Sequence, residues 1–218
     1  VNDIAFPKVQ NGDNALATDV PVIHAVPYGS RIFFADGQNS KYYDHPVSLG
    51  GTRGEVKSWS DNILTYSQQE ITNDGLVNVR AGKPKGVFPV DPTGGTPRLI
   101  EVWNGRIVLS GIAGLPAEWY MTRQHNPFDF DYSVEPQDSQ QAQASVGSPA
   151  GGTADKINAM IPFGNDVLLF GCDHSLLQLS GDPAAGAQFD YLSTTIGMAW
   201  GRPWCKSSAG AAYFFGSM

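Results

Sequence analysis

Four times along this chain a tight turn leads directly into a short apolar strand, and that recurrence restricts the fold more than any other feature. The clearest copy is Ile161 to Cys172, where Gly164, Asn165 and Asp166 turn the chain, Val167 to Phe170 are continuously apolar, and Gly171 closes the run. A short apolar run between a turn and a glycine reads as a strand buried on both faces. Pro27-Tyr28-Gly29-Ser30-Arg31 followed by Ile32-Phe33-Phe34-Ala35 repeats the design without a gap, Pro27 falling on Pro162, Gly29 on Gly164 and Ile32 on Val167. A third copy runs from Leu99 to Gly111, with Asn104-Gly105 as its turn. Asn-Gly suits a two-residue hairpin because both residues tolerate the positive φ of a type I′ turn. A weaker fourth copy runs from Pro203-Trp204-Cys205 through Gly210 to Ala212-Tyr213-Phe214-Phe215-Gly216.

A second element follows each of the first three strands: Lys41-Tyr42-Tyr43, Glu118 to Met121, and Leu176 to Leu179. One such unit cannot bury its own faces, so several must stack. The expectation is an all-β chain, a β-propeller-like array of short antiparallel sheets. The apolar strand is expected to be the inner one. Strand starts at 32, 107, 167 and 212 are 75, 60 and 45 residues apart, an unevenness assigned to long loops near 50–95 and 136–155. Val56 to Ile71 reads as strand. Residues 1–20 lack a sustained period and read as an extended arm or connector. Residues 21–218 form the propeller-like domain of about four units. The chain begins at Val1, and it stops at Met218 just after an apolar strand, so it reads as a piece of something longer.

The composition excludes several partners. Fourteen basic against 21 acidic residues leave a net charge of -7, contrary to the basic footprint of a nucleic-acid or anionic-membrane binder. With 25 glycines and 15 prolines, short strands and turns fit better than a helical bundle. No apolar run reaches the length of a membrane-spanning helix, and Val1 to Gln10 has no signal-peptide pattern.

No motif points to catalysis, a cofactor or a metal. Cys172-Asp173-His174 reads as a buried thiol beside a turn histidine, because adjacent strand residues face opposite sides. Cys205 reads as a second buried thiol. Asp129-Phe130-Asp131 supplies two carboxylates where calcium takes six to eight oxygens, so it reads as a turn anchored by Phe128 and Phe130. His24, His45, His125 and His174 match no zinc spacing. Gly147 to Gly152 lacks the Gly-Lys-Ser/Thr ending of a phosphate loop. The candidate interaction residues are aromatic: Trp103, Trp119, Tyr120, Trp200 and Trp204, with Tyr42 and Tyr43. They suit either a sugar-stacking platform or wedges between sheets, and their repeated positions within strands favour wedges.

Arg106-Ile107-Val108-Leu109-Ser110-Gly111, then Pro116, Trp119-Tyr120 and Asn126-Pro127-Phe128-Asp129-Phe130, resembles virion structural proteins of tailed bacteriophages. The run Ile157 to Phe170 and Leu179-Ser180-Gly181-Asp182 is similar to that group too, as is Tyr42-Tyr43 through Leu49-Gly50-Gly51. The resemblance implies a β-propeller in a tail, nozzle or neck component, acting through assembly in a virion built in the host cytoplasm. It implies other virion proteins as partners, a homo-oligomeric ring, and DNA passing through a channel without specific binding, where an acidic lining suppresses sticking. No membrane contact is implied. The competing expectation is a glycan-binding or glycan-hydrolysing propeller for host-surface recognition, which requires clustered aromatics with paired carboxylates.

Overall fold

The structure is a computed structural model that describes residues 22–45, 54–61, 87–130, 151–183 and 186–217. The proposed arm at 1–20, residues 62–71 of the expected strand and most of the 136–155 loop lie outside the described residues.

The chain is all-β, with three four-stranded antiparallel sheets in simple up-and-down order. The first holds β1 (His24–Tyr28), β2 (Arg31–Ala35), β3 (Ser40–Asp44) and β4 (Glu55–Ser58). The second holds β5 (Leu99–Trp103), β6 (Arg106–Ile112), β7 (Leu115–Met121) and β8 (Gly151–Gly152). The third holds β9 (Ile157–Phe163), β10 (Val167–Cys172), β11 (Leu176–Ser180) and β12 (Gln188–Ser193). The turn at Asn104-Gly105 has positive φ at both residues, 46° and 68°. The sheets stack through their first strands, β1 against β5 and β5 against β9.

The repeated apolar strand is the second of each sheet, flanked by a strand on either side. Its apolar run reports burial on both faces, which any central strand of a stacked sheet experiences, and does not report its place in the order. The strand ahead of it is the edge strand, and its prolines mark it: Pro27 pairs with Ile32 and Pro162 with Leu168, where a missing N–H costs no ladder bond on the open side. Of the expected strand from Val56 to Ile71, residues 56–58 are strand and 59–61 a helical turn, and the loop near 136–155 also supplies an edge strand. Glu55–Ser58 and Gly151–Gly152 complete the first and second sheets. The glycine pair carries no strand signal of its own; the neighbouring ladder makes it a strand.

The fourth unit is a single interrupted hairpin. β13 (Gly197–Met198) pairs with β16 (Gly216–Ser217), and β14 (Trp204–Lys206) pairs with β15 (Ala212–Phe214). Ala199 N–H to Phe215 O (3.0 Å) and Phe215 N–H to Pro203 O (2.9 Å) join the two pieces, while 200–202 bulge out between them. Met198, Trp204, Ala212 and Phe214 pack on Ala159, Ile161, Leu169 and Leu176 of the third sheet.

Aromatic side chains join the sheets. Phe33, Tyr42 and Trp59 from the first unit meet Phe88, Phe128 and Phe130, with Phe33 and Trp59 centroids 4.6 Å apart. The buried Trp59 indole donates to Pro127 O at 2.9 Å. Trp119 lies between the second and third sheets against Phe170 (5.6 Å) and Phe189 (6.3 Å). Such pairs add about 0.5–1.5 kcal/mol each beyond the area they bury.

A polar knot ties residues 91–95 to the β6–β7 turn. The buried Asp91 carboxylate accepts from the Thr93 hydroxyl (2.6 Å), Thr93 N–H (2.8 Å), Gly95 N–H (2.9 Å) and Gly114 N–H (2.9 Å). The Thr93 hydroxyl, then the Gly95 and Gly114 amides, lower its pKa from 3.8 to about 2. A depressed carboxylate stabilises the fold above its unfolded pKa, and that contribution is lost as pH falls from about 4 through 2. Asp91→Asn is expected to lower stability at neutral pH and to flatten the acid limb of the unfolding midpoint by about one proton. Denaturant unfolding at a series of pH values measures this, and an unchanged limb contradicts it.

Candidate functional site

Aromatic, cationic and apolar side chains converge in a cleft at one end of the stacked first strands. Arg98 directly precedes β5 and Lys156 directly precedes β9, so both hold the same position in neighbouring units. Because β5 and β9 lie against each other, that shared position brings the two cations to one end of the stack. With Trp200 from the bulge of the fourth unit, and with Gly111, Ile112, Ala113, Pro116 and Ile157, they line a cleft of about 510 Å³. This lies within the roughly 300–1,000 Å³ of small-ligand sites.

Each rim residue is placed by its neighbours. The stem of Arg98 lies across Gly37, where a Cβ would sit 2.7 Å from Arg98 Cγ and Nε. Gly37 is held there by Gly37 N–H to Pro97 O (3.1 Å) and Thr96 N–H to Gly37 O (3.2 Å). Trp200 sits over Gly111, where a Cβ would come within 2.9 Å of its ring, and it remains 40% exposed. Lys156 Nζ lies 5.5 Å from the Trp200 ring centre and 4.0 Å from Asp173, the outer limit of an ion pair. Among the described residues Arg98 has no carboxylate in ion-pair range.

A polar anchor below the cleft fixes the bulge. Arg202 donates to Glu101 Oε1 at 2.6 Å and to Ile100 O at 3.2 Å, both on β5. Gly201 N–H reaches Asn158 O on β9 (2.8 Å), and Asn158 Nδ2 donates to Met198 O (2.9 Å) and Asp173 Oδ1 (2.6 Å). His24 Nδ1 bonds Arg98 O at 2.8 Å. Burial pushes the Glu101 carboxyl upward, with Arg202 pulling it back. Burial also lowers the His24 pKa, against the Arg98 carbonyl and with Arg202 repulsion. Each first strand thus carries one buried polar residue, and two of these three bear on the bulge.

The aromatics singled out from sequence do not form one platform. Trp103 (2% exposed), Trp119 (1%) and Tyr120 (5%) are buried in the main core. Trp204 is half-buried in the small core under the hairpin, with Lys206 Nζ 5.7 Å from its ring. Tyr42 is buried and Tyr43 half-buried. Of these aromatics, Trp200 alone lines the cleft described above. Cys172 is buried and its thiol is pushed up to about 11, chiefly by burial, whereas Cys205 is exposed, contrary to the expected buried thiol. It sits on a two-stranded hairpin whose outer face no sheet covers. Buried Asp129 pairs with Arg123 at 3.6 Å, and Asp131 lies outside the described residues. Among the described residues, no three of His, Cys, Asp and Glu are grouped to hold a metal.

Sequence reasoning missed Arg98 and Lys156. Their signal was present as a single cation immediately ahead of the first strand in two successive units, but that strand was not the one used to align the repeats. No family model matches the chain, and neither a curated protein nor a solved structure does.

Proposed function

We propose that this chain is a structural component of a tailed-phage particle, in its tail, nozzle or neck, and that its three sheets are consecutive blades of a propeller-like array. The observation that carries this reading is the repeated up-and-down sheet stacked through its first strand, three times with four strands and followed by a packed hairpin. Such an array is built by adding units, and each added unit buries the face its predecessor leaves open. Apolar side chains on the fourth unit fit a surface made for assembly: Ile196, Tyr213 and Phe215 are 48%, 61% and 75% exposed. The sequence resemblance supplies the phage context. Partners are then other virion proteins and further copies of the chain, without a catalytic step.

Negative-stain microscopy with sedimentation tests the reading. Rings or stacked oligomers of defined mass are expected, and a chain that stays monomeric at every concentration, alone and with its virion neighbours, overturns it. The glycan-binding alternative is favoured by a single observation, the exposed Trp200 beside two cations, and binding of the monomer to a saccharide array is its test.

A further inference from the structure

We infer that the cleft of Arg98, Lys156 and Trp200 is a binding site for a small ring-bearing carboxylate. The assembly reading plays no part in this; three features of the cleft carry it. First, among its eight lining residues the side chains of Arg98, Lys156 and Trp200 carry hydrogen-bond donors and no side chain carries an acceptor, the others being Gly, Ala, Ile and Pro. A ligand that meets these side chains does so as an acceptor, and an anion accepts best from guanidinium and ammonium groups. Second, Arg98 is positioned without a carboxylate partner among the described residues. Its stem is fixed across Gly37, while the other described arginines, Arg31, Arg106, Arg123 and Arg202, each pair with a carboxylate. In a chain of net charge -7, a fixed arginine facing a cleft with no internal carboxylate leaves that pairing open to a ligand. Third, the rest of the lining is apolar. Ile112, Ala113, Pro116 and Ile157 with the Trp200 indole offer a surface for the C–H face of a sugar or for an aromatic ring, but no side-chain acceptor for the N–H groups of a nucleobase.

The carboxylate lies between Arg98 and Lys156, drawing Lys156 from its 4.0 Å contact with Asp173, and the ring lies against Trp200. The carboxylate has two sources, an acidic sugar or an aromatic acid, which share this chemistry.

Ligand-observed NMR on the full chain, with glucuronate and benzoate as probes and glucose and benzyl alcohol as neutral counterparts, tests the proposal. Saturable binding of at least one acid is expected with Kd on the order of 1 mM, at least about tenfold tighter than its neutral counterpart. Arg98→Ala is expected to weaken it about tenfold, and Arg98→Lys to recover part of the loss. Both substitutions are at an exposed side chain, and an unchanged circular dichroism spectrum establishes that the variants fold. Glucuronate binding alone assigns the site to acidic sugars, and benzoate binding alone to aromatic acids. The proposal is overturned if neither acid binds, if the neutral counterparts bind equally well, or if Arg98→Ala leaves binding intact.

Discussion

Gly197→Ala is expected to lift the C-terminal hairpin off the third sheet and to lower stability by about 3 kcal/mol, the upper end of overpacking costs. A Cβ at Gly197 would stand 1.9 Å from Asp173 O and 2.5 Å from Cys172 O. Both are backbone atoms at the end of β10, so no side chain can swing aside. The strand must move, and with it Met198, which is fully buried against Ala159 and Ile161. Gly152→Ala serves as the control. The nearest atom to its added Cβ lies 3.7 Å away, an ordinary contact, and the change is expected to stay within about 0.5 kcal/mol. Denaturant unfolding of the two variants measures the difference. Since the hairpin carries Trp200, Gly197→Ala is also expected to abolish carboxylate binding in the cleft. Equal stability of the two variants contradicts the packing of the fourth unit described above.

The second large effect concerns Arg106, which is 0% exposed on β6 and reaches Asp182 Oδ1 at 3.2 Å, beyond the end of β11 in the third sheet. Its Nη1 also donates to Thr122 O at 3.3 Å. Burial lowers the pKa of the guanidinium, and the Asp182 charge works against that shift. Asp182→Ala leaves a buried cation without its counter-charge. Breaking a buried pair costs about 3–5 kcal/mol, and because the Asp182 side chain is 37% exposed the low end, about 3 kcal/mol, is expected. Arg106→Met removes the stranded charge, so the double variant is expected to be more stable than Asp182→Ala alone. A double-mutant cycle by denaturant unfolding measures this. Additive losses contradict a pair that joins the two sheets.

The paired substitutions also show which part of the fold was legible along the chain. The turn at Asn104-Gly105 and the apolar strands at 32, 107 and 167 carry local signals: positive-φ residues in one case, uninterrupted burial in the other. Arg106 carries no such signal. A cation at the start of an apolar strand reads as a solvated turn residue until the third sheet brings Asp182 to it, 76 positions later. The cleft was hidden in the same way. Trp200 was legible as an aromatic, but Trp103 and Trp119 look the same in sequence, and only the stacking of sheets separates the two buried indoles from the exposed one.

The sequence by itself determined the unit: a turn, a strand covered on both faces, and a following strand, repeated because each copy leaves apolar surface that another must cover. Tertiary structure decided the order of strands within each sheet, the recruitment of Glu55–Ser58 and Gly151–Gly152 as fourth strands, and the meeting of Arg98, Lys156 and Trp200. The reason is physical. Turn dihedrals and burial periodicity act over a few residues and are written locally, whereas ladder partners and charge neighbours are fixed by which surfaces stack, through contacts between residues scores of positions apart.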